Sequence, residues 1–190
     1  MTAVKGFFAE ATQGVTIVDT NGNILLPSGT PAKLMVEITR PADTPGAYSA
    51  GDAVNTSTSV PTIITFADAA IANGGGGFIY LLKAESNMTA LAGQTLRYWF
   101  YNDTPSGMVG DHVAFVNSYA NASKRCFYID LTFDPLLAGS DTVFGQVKLS
   151  DEYITKAAGN ALYGLIQTLT SWTPTSGGKI TTSLSVVKLS

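Results

Sequence analysis

Hydrophobic and polar residues alternate along most of this chain, which is the pattern of strands that are buried on one side. Between positions 33 and 40, for example, Leu34, Val36 and Ile38 occupy every second position. Segments rich in Gly, Pro, Asp and Ser separate the alternating runs, and this spacing is typical of a β-sandwich. The pattern predicts nine strands, at 33–40, 60–66, 78–85, 95–101, 112–119, 125–133, 144–149, 161–169 and 179–189, with the run at 78–85 in the centre of a sheet.

Helical periodicity is scarce in the sequence. One or two helical turns are expected within 66–77, before a run of glycines, and another turn is expected to begin at Asp151 and Glu152. Neither run is long enough for a helical layer. We therefore predict an all-β fold, an antiparallel β-sandwich of jelly-roll type with an N-terminal hairpin or arm.

The N-terminal region has a different pattern from the rest of the chain. Asn21-Gly22 lies between two apolar runs, and this dipeptide favours a two-residue type I′ hairpin turn. An isolated hairpin is marginally stable in water, so it is expected to dock on the main domain, on a neighbouring subunit or on another protein. A boundary near Pro31 divides the chain into an arm, hairpin and linker at 1–31 and a sandwich domain at 32–190.

The composition favours burial against partners. Only 13% of the 190 residues are charged, against about 25% in a typical soluble domain. Apolar runs are far shorter than the ~20 residues of a membrane helix, so no membrane association is expected. A net charge of −3 gives no basic surface for nucleic acid, and a single cysteine, Cys126, forms no internal disulfide.

Candidate catalytic and metal-binding residues are few. The one histidine, His112, is expected to begin a strand, and no serine lies in a nucleophile-elbow sequence. The Gly74–Gly77 run lacks the Lys-Ser/Thr of a phosphate loop. Two pairs of acids leave a glycosidase cleft or a calcium site open as alternatives, but loop capping is the commoner use of Asp: these are Asp103, Asp111, Asp130 and Asp134. We expect no enzymatic activity, no cofactor and no resident metal.

An aromatic row at 95–101 is the most informative local feature. If the even-numbered residues face the core, then Arg97, Trp99 and Tyr101 face outward. Three explanations are open for this outward row: another layer of the same domain, an oligomer or capsid interface, and a platform on which a sugar stacks.

A second unusual feature is the turn-rich segment "ITRPADTPGAYSAGDAV" at 38–54, which contains one large aromatic residue. Pro41 ends the preceding strand because it lacks a backbone donor. Tyr48 is then expected to hold the loop, either by packing inside its own domain or by contacting a second subunit.

This segment, together with "ANGGGGFI" and "LYGLIQTLTSWTP", resembles a family of tailed-bacteriophage virion proteins, namely head-decoration, auxiliary capsid or head-fibre proteins. The resemblance covers roughly 38–187 and leaves the N-terminal region uncovered. It implies a non-enzymatic protein that decorates or reinforces the capsid and transfers no catalytic residues.

The implied partners are the major capsid protein and further copies of the chain, with a trimer as the first guess. The implied location is the capsid surface of a virion made in a bacterial host's cytoplasm. The alternative function is a carbohydrate-binding adhesion module on the virion, with a glycan as ligand. The candidate interface residues are Tyr48, Arg97, Trp99, Tyr101, Ile24, Leu25 and Leu26.

Overall fold

The computed structural model describes residues 17–18, 24–25, 30–42, 46–59, 61–155 and 159–189. Nearly all of its regular structure is β-strand. The strands are β1 Ile17–Val18, β2 Ile24–Leu25, β3 Thr30–Thr39, β4 Ala53–Val54, β5 Ile64–Phe66, β6 Gly76–Ser86, β7 Thr95–Tyr101, β8 Arg125–Thr132, β9 Val143–Ile154, β10 Leu162–Thr168 and β11 Lys179–Lys188. Two single-turn 3₁₀ helices lie at Thr89–Leu91 and Tyr119–Asn121.

The strands from β3 onward form two antiparallel sheets that pack face to face. The first sheet has the order β3-β11-β6-β9. In the second, the short strands β4 and β5 both pair with β10, which is followed by β7 and β8. If β4 and β5 are counted as one interrupted strand, the chain order in the two sheets is 1-8-3-6 and 2-7-4-5. This is the double Greek key of a jelly roll, so the predicted fold class is confirmed.

The core forms because the alternating apolar positions of both sheets point at each other. On β7, Leu96, Tyr98 and Phe100 are fully buried in the same cluster as Ile180 and Leu184 of β11. Each such side chain contributes about 1.5–3 kcal/mol by leaving water. The prediction of a central strand at 78–85 is confirmed, since β6 lies between β11 and β9.

Three of the predicted local structures are wrong. The run at 112–119 is a loop, in which the one described β-bridge joins Ala114 to Asp52. It starts with a left-handed φ of 63° at His112, which is turn geometry, and its backbone then follows the 51–53 segment over a few residues only. The helical turn expected at Asp151 is part of β9, where Asp151 pairs with Ile79. The 66–77 segment contains turns and bends before β6 and no helix.

The N-terminal hairpin is confirmed as an antiparallel pair, with Ile17 opposite Leu25 and Val18 opposite Ile24. This register differs from that of a two-residue Asn21-Gly22 turn, which would place Val18 opposite Leu25. Residues 19–23 lie outside the described chain. The sandwich begins at Thr30, inside the predicted linker, because Thr30 and Pro31 already pair with β11.

Candidate functional site

A polar cluster that is mostly buried joins two loops of the chain, the one between β3 and β4 and the one between β7 and β8. We call it the loop anchor and define it as Arg40, Tyr48, Asp111 and His112. Arg40 follows β3 directly, and Tyr48 lies in the turn-rich segment before β4. Asp111 and His112 lie in the long loop between β7 and β8. The cluster therefore holds together loops that sequence distance separates by up to 72 residues.

Asp111 is the centre of the loop anchor. One carboxylate oxygen accepts hydrogen bonds from the Tyr48 hydroxyl at 2.6 Å and from the backbone N–H of Asn55 at 2.8 Å. The other accepts from Arg40 Nη2 at 2.5 Å and Nε at 3.2 Å. The side chains of Arg40 and Asp111 are both 0% exposed. Both oxygens of this carboxylate therefore accept hydrogen bonds from groups inside the protein.

The environment fixes the charges of the loop anchor. Burial alone lowers the pKa of Arg40, but the hydrogen bond to Asp111 and the electrostatic contributions of Tyr48 and Asp111 together outweigh it and raise the pKa above its ordinary value. Burial, together with the Asp111 charge, raises the pKa of Tyr48 far above its ordinary value. Arg40 is therefore a cation and Tyr48 a neutral donor, and the Asp111 carboxylate accepts from both.

His112 covers the cluster on its solvent side. Its ring stacks on Tyr48 with centroids 3.9 Å apart and an interplanar angle of 7°. Its Nε2 lies 2.8 Å from the carbonyl oxygen of Gly46, and its Nδ1 lies 3.1 Å from Asp111 Oδ2. Both ring nitrogens lie near protein oxygens, so the ring of His112 holds the β7–β8 loop against the loop between β3 and β4.

The cluster explains the tyrosine in the turn-rich segment. Tyr48 is 1% exposed, and its ring also packs on Trp172, with centroids 4.8 Å apart. Its backbone pairs with Trp172 as an isolated bridge. Tyr48 therefore holds its loop from inside the domain, and a contact with a second subunit stays a prediction.

The outward face of β7 is covered by the same chain. Trp99 and Tyr101 form a second apolar cluster with Leu165, and Met108 and Phe115 of the β7–β8 loop pack on it. Trp99 is 8% exposed, stacks on Phe115 at 5.8 Å and donates from Nε1 to Gln167 at 3.1 Å. Of the three explanations for this row, the described structure contains the first, a further layer of the same domain.

Arg97 lies at the rim of that layer. Its guanidinium donates two hydrogen bonds to Asp130, at 2.7 and 2.8 Å, and lies 4.1 Å from the ring centroid of Tyr128. Tyr128 is 51% exposed, so this rim is the accessible part of the aromatic row. The interface role of Arg97, Trp99 and Tyr101 stays a prediction.

The hairpin residues among the candidates are only partly within the described chain. Ile24 and Leu25 form β2, and Leu26 lies outside the described residues. The described pairing of β2 is with β1. Their predicted role in attachment stays a prediction.

Three of the four candidate carboxylates contact protein groups, and the fourth, Asp134, is exposed. Asp111 is buried in the loop anchor, Asp130 is paired with Arg97, and Asp103 lies 3.9 Å from Lys124. Among the described residues, no three His, Cys, Asp or Glu side chains are grouped closely enough to hold a metal ion.

Burial raises the pKa of the half-buried Cys126 thiol to about 11.

Sequence reasoning missed Arg40, the cation of the loop anchor. The available signal was an arginine directly before the strand-ending Pro41 in a chain with 11 basic residues. That signal does not identify Asp111 as its partner, because 71 residues separate the two.

No helix in the described part of the chain is long and apolar enough to cross a bilayer.

Comparison with known proteins adds little. No family model and no curated protein matches the chain. One solved structure, the full particle of Israeli acute paralysis virus heated to 63 degrees, aligns over 98% of this chain and 81% of its own chain. The identity is 12% and the TM-score is 0.29, a similarity too low to support a statement about relationship or function.

Proposed function

We propose that this protein is a structural component of a virus particle. The observation that carries the proposal is the jelly-roll sandwich, whose long loops are fixed by a buried polar cluster. Viral capsid proteins are among the proteins that use this fold, in which two Greek keys form two packed sheets and leave the loops at the ends free to contact neighbours. Lectins use it as well, so the fold needs a second line of support.

The resemblance of three segments to tailed-phage virion proteins provides that support. It leads us to propose a head-decoration, auxiliary capsid or head-fibre protein, located on the capsid surface and made in the bacterial cytoplasm. Its partners would be the major capsid protein and further copies of itself. A threefold assembly remains our first expectation on the shell, since capsids present local threefold sites.

A non-enzymatic role agrees with the way the polar residues are used. Asp111 and His112 make internal contacts in the loop anchor, and Asp130 forms an ion pair at the rim. No described observation favours the carbohydrate-binding alternative, whose platform was to be Trp99, since Phe115 stacks on that ring.

The direct test uses virions whose genome encodes this chain. We expect mass spectrometry to detect the protein in purified particles. Cryo-electron microscopy should show a jelly-roll density of matching size on the outer capsid surface. Its absence from purified virions, or a position confined to the tail, would refute the decoration role.

A glycan array with the purified protein tests the alternative. Specific binding that is lost with Trp99→Ala, in a variant whose melting temperature is unchanged, would favour the adhesion function. No binding to any glycan, with the protein present on heads, would support the structural function.

A further inference from the structure

Among the described strands, β3 is at an open edge of the first sheet. It pairs with β11 on one side and stands at the end of the strand order. Leu34 and Val36 face the core, yet they are only partly buried. An edge of this kind presents unpaired backbone groups to any strand that approaches it.

The direction of the free backbone groups follows from two hydrogen bonds at the end of the strand. Arg40 donates its N–H to Gly178 on the β11 side, and Lys179 donates its N–H to Asn87, away from β3. Because these directions alternate along a strand, the odd-numbered residues of β3 point their N–H and C=O groups at the open edge. Within the described chain, no backbone hydrogen bond outside the β11 ladder involves Lys33, Met35 or Glu37.

We propose that β3 pairs antiparallel with β3 of a second copy of this chain, about a twofold axis at Met35. Two residues that lie opposite each other in an antiparallel ladder point their backbone groups either both at the partner strand or both away from it. Odd-numbered residues of one copy therefore pair with odd-numbered residues of the other. The register centred on Met35 places Lys33 opposite Glu37 of the second copy, and Glu37 opposite Lys33 of the second copy. Two opposite-charge pairs arise from one strand sequence, since all three side chains lie on the exposed face of the sheet.

The neighbouring registers lack this complementarity. A shift that pairs Lys33 with Met35, or Met35 with Glu37, leaves both charges without a partner across the axis. The Met35 register also places Leu34 opposite Val36 on the core side. Met35 itself is 58% exposed, and the pairing would bury it against its own copy. The strand sequence is therefore self-complementary in charge and in apolar contact.

The consequence is one continuous eight-stranded sheet made from the two four-stranded sheets. Such an interface is isologous and closed, so it stops at two copies. Glu37 already accepts from Lys179 at 2.7 Å, and Lys33 of the second copy would bind the same carboxylate from the other side. This inference goes beyond the proposed function: the twofold dimer concerns the chain in solution, is separate from the threefold assembly expected on the shell, and does not require the virion.

The first experiment is a charge exchange, read by sedimentation velocity of the full chain over a range of concentrations. We expect the wild type to dimerise. Glu37→Lys and Lys33→Glu should each weaken the dimer roughly tenfold or more, because both pairs become repulsive. The double variant Lys33→Glu/Glu37→Lys should recover dimerisation. Lys148→Glu, on β9 at the opposite edge of the same sheet, is the matched control and should leave the dimer unchanged.

The second experiment tests the register by cross-linking in a Cys126→Ser background. Opposed residues in a hydrogen-bonded pair have Cα atoms about 5.5 Å apart, within reach of a disulfide. Met35→Cys should therefore form a covalent dimer under mild oxidation. Lys33→Cys should not form a covalent dimer, because position 33 lies opposite position 37 of the second copy, four residues from the second cysteine.

A monomer at all concentrations would overturn the proposal, since Lys33 and Glu37 would then serve to keep the edge unpaired. A dimer insensitive to both charge reversals, or one that cross-links at position 33 and not at 35, would overturn it as well. Absence of the protein from virions, with the dimer intact, would refute the proposed function alone.

Discussion

At the residue scale, Asp111 determines whether the loops hold together. Its carboxylate neutralises a fully buried arginine and orients the Tyr48 hydroxyl. A buried pair of this kind adds little net stability compared with an apolar pair, but removal of one partner leaves the other charge buried and unpaired. The cluster is therefore sensitive to loss of either member.

We predict that Asp111→Asn lowers the free energy of unfolding by about 3–5 kcal/mol, because the fully buried Arg40 loses its counter-charge. Urea unfolding followed by circular dichroism measures this. Asp130→Asn breaks a bidentate pair at the rim and should cost less than about 1 kcal/mol. Equal losses in the two variants would show that burial of the pair is unimportant.

The ionisation of Tyr153 makes the free energy of unfolding depend on pH in the alkaline range. Its hydroxyl donates to the carbonyl of Ala69 at 2.5 Å, and burial raises its pKa to about 12. In the unfolded chain the phenol titrates near its ordinary value of about 10. The unfolded state therefore loses this proton first, and the contribution to stability is present below pH ~10 and falls as the pH rises towards 12.

We predict that the Tyr153→Phe variant loses less stability than the wild type between pH 8 and pH 11. At pH 8 it should already be about 1 kcal/mol less stable, because the hydrogen bond is absent. Urea unfolding at the two pH values measures both effects. Tyr119→Phe, at a ring that is 93% exposed, is the control and should keep the wild-type pH dependence.

At the element scale, the β7–β8 loop acts as a third layer over the second sheet. Met108 and Phe115 of this loop cover Trp99 and Tyr101, which would otherwise expose large apolar rings. The loop is fixed to the sandwich by the Asp111 contacts and by hydrogen bonds of Ala53 and Gly51 with Val113 and Phe115. This long connection is thus held by side-chain and backbone contacts, with the single-turn 3₁₀ helix Tyr119–Asn121 as its one regular element.

We predict that Phe115→Ala uncovers Trp99. In a Trp172→Phe background, the remaining tryptophan should shift its emission to longer wavelength and become more accessible to acrylamide. Val116→Ala, at a neighbouring side chain that is 53% exposed, is the matched control and should change neither property. Unchanged quenching in the Phe115 variant would mean that other groups shield the ring.

At the scale of the whole molecule, the sandwich and the N-terminal segment are separate structural units in their strand pairing. β1 and β2 form a two-stranded sheet of their own, and β3 begins the jelly roll at Thr30. Among the residues whose burial is described, those from Pro31 onward, the two sheets form a common core. We therefore expect the sandwich to fold without the hairpin.

We predict that a chain beginning at Thr30 stays folded, with the β circular-dichroism spectrum of the full protein and a melting temperature within a few degrees. It should fail to bind heads if the hairpin residues, Ile24 and Leu25 among them, attach the protein. Folded protein that still binds would assign attachment to the sandwich. An unfolded product would place the hairpin in the core.

The alternation of apolar and polar residues was enough to predict most of the strands and the fold class, because a period of two is a local property that any half-buried strand must show. It located β3, β6, β7, β8, β10 and β11 to within a few residues and indicated which face of β7 packs against the other sheet. It also singled out Tyr48 as the residue that holds its loop.

Tertiary structure decided what local pattern does not encode. The alternation at 112–119 resembles a strand, but the contacts of Asp111 and the left-handed φ of His112 make it a covering loop. The pairing of Arg40 with Asp111 joins residues 71 positions apart, at the end of a strand of one sheet and in a loop of the other, so it forms only when the two sheets pack together. The covering of Trp99 by Phe115 depends on how the β7–β8 loop folds over the outer face of the second sheet, and alternation along β7 does not encode the path of that loop.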